Sequence, residues 1–379
     1  MELSLTDVCA LLDWYLANRR DLPWRDTGDP YDVWLSEIML QQTRVEFVKE
    51  RFVQFRQKLP TIQDLAECPE DDLMKLWEGM GYYSRARNLQ KCAQVLVKQY
   101  HGILPSDRNA LLKLPGIGPY TAGAIASIAY GMNEPAVDGN VLRVAARLFN
   151  DARDIRKPEI REEIQNCFRT FLNHHKASLQ KKYASDTRTP ASLFSQAWME
   201  LGALICVPSG APHCENCPLN RSCAAFLNQT TSRIPYRSPL KERTIVHRTV
   251  TVIRDGSRFL LHKRPSGGLL GGLYEFPGYE ESLSRSALIR RLEQDGISPV
   301  KVTELPDSRH IFSHVEWHMK AYEVLVGSQE LEDKKDCVLL TKKELQRFAV
   351  PSAFHTYKAY YAWSEPDFSV PASAAKERP

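Results

Sequence analysis

At 379 residues the chain is too long for a single hydrophobic core, and two or three domains are expected. Hydrophobic residues make up 43% and charged residues 25%, an ordinary balance for a soluble globular protein. No stretch approaches the ~18 apolar residues of a membrane span, and the Met1–Asp7 start puts no basic region ahead of an apolar run. A cytoplasmic protein with no membrane partner is therefore expected. The net charge of +4 is modest, but its distribution is uneven: residues 1–100 carry 13 basic and 16 acidic side chains, and residues 101–250 carry 19 and 12. Residues 251–379 carry 18 of each. The central third thus collects positive charge, as either a phosphate-binding surface or a merely solvated basic face would.

In chain order, residues 1–228 read as almost entirely helical. Val33, Trp34, Ile38 and Met39 line one helical face, with Glu37 among them and Gln41 one turn on. A carboxyl buried there has its neutral form favoured, which suits a general acid, although an interior Glu held by a hydrogen bond fits the same pattern. Residues 79–88 (GMGYYSRARN) put Tyr82 in a glycine-flanked turn, and Leu89, Cys92, Val95 and Leu96 repeat at helical spacing. Residues 114–118 (LPGIG) form a glycine hairpin opening an apolar helix near Pro119. Gly116 and Gly118 permit a tight turn with outward N–H groups, to which the helix adds its positive end. Such a spot suits a phosphate. Asp138 follows in a Val-Asp-Gly-Asn turn, and helix resumes over 140–149. Residues 155–190 are polar and hold one long helix with His174-His175 and Lys181-Lys182, ending in a loop. No function attaches to them.

Nine cysteines are present, of which Cys9, Cys68, Cys92, Cys167 and Cys337 are scattered and expected to be reduced. The other four, Cys206, Cys214, Cys217 and Cys223, are spaced x7, x2 and x5. Four thiolates within 18 residues can converge on one metal centre. Only one pair is tight, so the spacing leaves both an iron–sulfur cluster and a structural zinc open. From Arg221 to Arg248 there are six basic residues and one acid, Glu242, a phosphate-contacting edge.

Residues 229–243 are a polar, proline-punctuated linker. Beyond it the pattern changes to period two: Val250 and Val252 alternate with Thr249 and Thr251, and Val315, Trp317, Met319 and Ala321 with Glu316, His318 and Lys320. Residues 244–370 read as a separate α+β domain, and 371–379 as a disordered tail.

Taken together, the LPGIG hairpin, Asp138, the Glu37 helix and the cysteine quartet resemble the helix-hairpin-helix, Gly/Pro-rich, Asp superfamily of DNA glycosylases, and within it the MutY-type adenine glycosylases. The resemblance covers nearly the whole chain and implies an all-α glycosylase domain over 1–228, with an iron–sulfur loop, followed by a Nudix (MutT-like) domain over 244–370. It implies a [4Fe–4S] cluster on Cys206, Cys214, Cys217 and Cys223, although the family spacing is x6, x2, x5 and the first gap here is one residue longer. By the same match Glu37 would protonate adenine, Asp138 would stabilise or bond to the sugar cation, and Asn140 would hold Asp138. Tyr120 stands where strand-cutting relatives carry a Lys that forms a Schiff base, so monofunctional hydrolysis is implied. Tyr82 would fill the gap left by a flipped base, with Leu40 and Gln42 probing the opposite side. Trp24, Arg25 and Glu200 resemble adenine-pocket positions. Residues 273–278 (LYEFPG) match the start of a Nudix fold. The following helix offers Glu293 but lacks the Arg-Glu…Glu-Glu pattern of a hydrolase, which implies a recognition domain. Phe312, Ser313 and His314 match the family's 8-oxoguanine-reading loop. The partner implied is duplex DNA with adenine opposite 8-oxoguanine or guanine, and the protein is expected to be a nucleoid-associated monomer. An endonuclease III-like oxidised-pyrimidine glycosylase/lyase is the alternative within the superfamily; a non-catalytic lesion-binding protein is the alternative outside enzymes.

Overall fold

The computed structural model describes residues 1–239, 242–327, 331 and 336–358. The chain divides into two compact units, one formed by Met1–Cys68 with Ser84–Leu240, the other by Pro69–Tyr83 with Lys241–Pro379. The segment expected to lie within a continuous helical domain, Pro69–Tyr83, therefore groups with the second unit. Its acidic side chains supply the reason. Asp71 pairs with Lys263 at 2.7 Å, and Glu78 pairs with Lys358 at 2.7 Å.

Among its described residues the first unit is helical. Its core is built on aromatic packing: Phe168 meets Trp198 at 4.6 Å and Phe194 at 5.1 Å between ring centroids. Helix Pro30–Met39 is capped by Asp29, whose side chain accepts from the Tyr31 N–H, and has Pro30 in its first turn. Nine of its ten residues, all but Pro30, are buried. With Val33, Trp34, Leu35, Ile38 and Met39 spread around it, this helix belongs in the interior, and Glu37 is carried inside with it. Helix Pro190–Leu204 packs on helices Leu5–Asn18 and Gly139–Leu148. Gly202 permits that approach, because a Cβ there would stand 2.7 Å from the Asn140 Cβ.

Several expectations change in detail. Gly116 has φ +75° and a Cβ on it would meet the Asn88 Cβ at 2.7 Å, so glycine is required. Gly118 is extended (φ −91°, ψ 179°), with nothing within 4 Å of an added Cβ. The conformational demand of the hairpin thus falls on Gly116 alone. The α-helix after it is short, Pro119–Ala124, and passes into a π-helical turn, Ile125–Ala129. The helix predicted in 155–190 is two helices, Pro158–His174 and Lys176–Lys182, broken at His175. The linker is partly docked rather than free: Ile234 is buried, its carbonyl accepts from Arg147, and the Tyr236 carbonyl accepts from the Ile155 N–H.

The second unit is built on a mixed sheet of β1 (Thr244–Asp255), β2 (Arg258–Lys263), β3 (Tyr274–Glu275), β4 (Gly278–Tyr279), β5 (Pro299–Ile311), β6 (Val315–Val326) and β7 (Cys337–Thr341). The order is β3-β2-β1-β6-β5, with β4 on β1 and β7 on β2; β1 and β6 run parallel. The alternation predicted for β1 does not separate inside from outside, since residues 248–253 are all buried. Val250 and Val252 face one apolar cluster and Ile253 another, beneath helix Arg285–Gln294. Thr249 and Thr251 donate their hydroxyls to the Glu281 and Pro277 carbonyls, which lets them be buried. The tail 371–379 and the end of the second domain lie outside the described residues.

Candidate active site

One cavity of about 980 Å³ in the helical unit gathers nine of the predicted site residues: Trp24, Arg25, Glu37, Leu40, Gln42, Tyr120, Asp138, Asn140 and Glu200. They come from five separate stretches of chain, and packing alone brings them together.

Glu37 is 7% exposed and accepts a hydrogen bond at Oε2 from the Tyr120 hydroxyl. Burial pushes its pKa up to about 7; the Tyr120 bond works against the rise and the charge of Asp138 adds to it. The Tyr120 hydroxyl is itself held well above its ordinary pKa, chiefly by burial and then by the carboxylate charges of Glu37 and Asp138. It is a neutral donor, not a nucleophile.

Asp138 is the N-cap of helix Gly139–Leu148. Its Oδ1 accepts from the Val141 N–H at 2.8 Å and its Oδ2 from Asn140 Nδ2 at 2.8 Å. Burial raises its pKa, and these two bonds oppose the rise. Asn140 is in turn fixed by Arg143, which donates to Asn140 Oδ1 (2.9 Å), the Gly202 carbonyl (2.7 Å) and the Cys206 carbonyl (2.8 Å). Arg143 escaped sequence reasoning; its only signal is a position one turn beyond Asn140 on the same helix face.

Glu200, which also lines the cavity, is buried and takes Arg20 and Arg25 together, with bonds from 2.7 to 3.1 Å. Burial alone would raise its pKa, but the bonds from Arg20 and then Arg25 outweigh it and hold the carboxyl at about 2. Arg20 was also missed, although it lies in the same NRRDLPWR stretch as Trp24 and Arg25. Trp24 is buried edge-on against Phe52, with centroids 5.4 Å apart. The glutamate helix stops at Met39, so Leu40–Gln42 is a turn rather than a helical continuation, and Gln42 takes φ +58°. A left-handed non-glycine residue is uncommon, and such strain tends to persist where a side chain must be aimed.

The cysteine quartet forms a second, smaller cavity lined by Cys206, Cys214, Cys217 and Cys223. Among the described residues no three potential ligands lie close enough to share a single ion, yet all four thiols face one space. Arg147 donates to Cys206 Sγ at 3.2 Å. Arg221 is exposed nearby in sequence.

The remaining predicted residues lie elsewhere. Gly116 and Gly118 belong to the helical unit but do not line the large cavity. Tyr82 belongs to the second unit, 46% exposed and left-handed at φ +46°. Phe312, Ser313 and His314 form the turn between β5 and β6. Phe312 packs on His310 and Trp317, with centroids at 4.6 and 4.8 Å, which leaves the Ser313 hydroxyl exposed, 3.3 Å from His314 Nδ1. Glu275, the carboxylate in the LYEFPG strand, is bound by Arg264 through both oxygens at 2.7 Å.

A helical unit with paired carboxylates in one cavity, a glycine hairpin and an appended mixed-sheet domain define a base excision repair glycosylase. Residues 35–170 match the HhH-GPD superfamily of base excision DNA repair proteins, and residues 249–360 match the NUDIX domain. Similar chains include the adenine DNA glycosylases of Mus musculus (33% identical, covering 82% of this chain and 69% of that one) and Homo sapiens (31%, 94% and 74%). That of Buchnera aphidicola subsp. Baizongia pistaciae is 30% identical, covering 84% of this chain and 85% of its own. Among solved structures, a thermostable thymine-DNA glycosylase is 30% identical with a TM-score of 0.47, covering 58% of this chain and 95% of that one. The chain belongs to the adenine DNA glycosylase family, and so is a DNA N-glycosylase of base excision repair.

Proposed function

We propose that this glycosylase hydrolyses the N-glycosidic bond of adenine paired with 8-oxoguanine or guanine, leaving an abasic site and an intact strand. The observation that carries this reading is the pairing, in one cavity, of a buried Glu37 with a pKa of about 7 and an Asp138 held by two hydrogen bonds. Tyr120 occupies Oε2 of Glu37 and leaves Oε1 to carry the transferable proton. That proton goes to the departing adenine as the glycosidic electron pair leaves with the base. Asp138, ionised and held by Asn140 and Val141, faces the positive charge left on the sugar. Water then adds to the sugar and returns a proton to Glu37. Lysine chemistry is not available at Tyr120, which supports hydrolysis without strand cleavage.

Other predicted residues would serve duplex binding. Tyr82 would fill the space of the extruded adenine, Leu40 and Gln42 would contact the opposite strand, and Gly116 and Gly118 would take a phosphate. The exposed Ser313, buttressed by Phe312 and His314, would hydrogen-bond 8-oxoguanine. Trp24, Arg25 and Glu200 would form the adenine pocket. Cys206, Cys214, Cys217 and Cys223, which line one small cavity, would hold a [4Fe–4S] cluster. The cluster would brace the loop that carries Arg221 towards DNA. We take the protein to act as a monomer in the cytoplasm, on the nucleoid.

Single-turnover reactions on a duplex with adenine opposite 8-oxoguanine, comparing wild type with Asp138→Asn, test the proposal. Adenine release should be lost in the variant, and strand breaks should appear only after alkali. Breaks without alkali would place the chain among lyases, and tight binding with no release would make it a lesion-binding protein.

A further inference from the structure

Six arginines line the large cavity, and four have settled partners. Arg20 and Arg25 are paired with Glu200, and Arg188 with Asp186 and Asp26. Arg143 is buried and bonded to Asn140 and two carbonyls. Arg161 and Arg237 differ. Arg161, in the first turn and a half of helix Pro158–His174, donates to the Val137 carbonyl and meets no carboxylate within ion-pair range among the described residues. Arg237 is exposed and makes no side-chain hydrogen bond or ion pair among the described residues. Both line the cavity that holds Asp138. Arg161 is attached to the residue before it and is close enough to Tyr120 to act on it electrostatically. Arg237 acts in the same way on Arg143, which fixes Asn140.

Two uncompensated cations beside a centre where a sugar cation must form would oppose catalysis unless something neutralises them. Adenine is uncharged and cannot do so. A DNA strand whose nucleotide has swung into the cavity brings one phosphate on each side of the reacting sugar. Building on the nucleic-acid reading above, we propose that Arg161 and Arg237 form a two-phosphate clamp that grips the phosphates 5′ and 3′ of the extruded nucleotide. The clamp engages only when the nucleotide is out of the stack, so it favours the flipped state over the stacked one. Once engaged, its charges are cancelled where they would otherwise repel the sugar cation. Arg161 has a planar fork for the purpose, with one N–H already anchored on the Val137 carbonyl.

The test is salt-dependent binding, read by fluorescence anisotropy, to a duplex with a tetrahydrofuran abasic analogue opposite 8-oxoguanine and to an undamaged duplex. Each phosphate contact contributes about 0.9 to the slope of log K against log salt. Arg161→Gln and Arg237→Gln should each lower the slope on the analogue duplex by about 0.9, and the double variant by about 1.8. Slopes on undamaged DNA should be unchanged, and Arg161→Lys and Arg237→Lys should restore the lost slope. A double variant with the wild-type slope, or one that loses equally on both duplexes, overturns the clamp. So does an Arg161→Gln that slows excision without moving the slope, since that marks a purely structural hold on Val137. Arg237 is exposed, so Arg237→Gln decides the matter by itself if Arg161→Gln does not fold. If the wild type failed to excise adenine while the slopes behaved as expected, the excision reading would fall and the clamp would stand.

Discussion

Replacing Glu37 by Gln should stabilise the helical unit above neutral pH while removing its acid. Glu37 titrates near 4.5 when unfolded and at about 7 when folded. Below pH 4.5 both states hold the proton and nothing is lost. As pH rises, the unfolded carboxyl ionises freely while the folded one must keep its proton or bury a charge, so the stability present at low pH is lost progressively up to about pH 7. The shift corresponds to about 3 kcal/mol. Gln is neutral throughout, has nearly the same shape, and its carbonyl can accept from Tyr120. Its advantage over wild type should therefore be near zero at pH 4.5 and reach about 3 kcal/mol at pH 8. For a unit of this size that is roughly 6–12 °C in melting temperature. Thermal unfolding of the full chain, followed by circular dichroism at a helical wavelength at pH 5 and pH 8, reads the difference. Single-turnover excision should fall about 10²–10⁴-fold in the same variant. An equal offset at both pH values, or a variant less stable at pH 8, would show that Glu37 is not held neutral by burial.

For the wild type, the single-turnover rate should fall about tenfold per pH unit above about pH 7 as Glu37 loses its proton, and a flat profile from pH 6 to 9 would exclude it as the acid. Asp138→Asn should keep the fold, because the amide oxygen can still cap Val141, and should slow excision by at least about 10²-fold in the same assay. Glu200→Ala strands Arg20 and Arg25 and should cost about 3 kcal/mol in urea unfolding, the low end for a broken buried pair because Arg20 is 30% exposed. The contribution of Glu200 is present above pH 4.5 and lost as pH falls towards about 2. Gly116→Ala should lower the melting temperature and weaken duplex binding, whereas Gly118→Ala, in open extended backbone, should leave the melting temperature unchanged.

The sequence by itself determined the elements and their chemistry. Period in hydrophobicity separated the helical from the strand-rich half, because burying one face of a helix or of a sheet imposes a repeat that survives without the fold. Residue type singled out Glu37, Asp138 and the four cysteines as candidates, since few side chains can do those tasks. Family resemblance assigned their roles. What pattern could not carry is anything that depends on which elements meet. Arg20, Arg143 and Arg161 look like ordinary surface cations along the chain, and only packing turns them onto Glu200, Asn140 and the Val137 carbonyl. The acidic segment Pro69–Tyr83 reads as one more amphipathic helix, and Lys263 and Lys358, nearly 200 residues or more away, decide which unit it joins. Burial of Thr249 and Thr251 likewise depends on carbonyls that loop back from beyond β3. The pKa of about 7 at Glu37 is the sharpest case. The sequence supplies a carboxyl on an apolar helix, but its proton affinity is set by desolvation and by the field of Asp138, a hundred residues on. Both are properties of the assembled cavity, because electrostatic energy depends on distance in space and on the surrounding dielectric, neither of which is written along the chain.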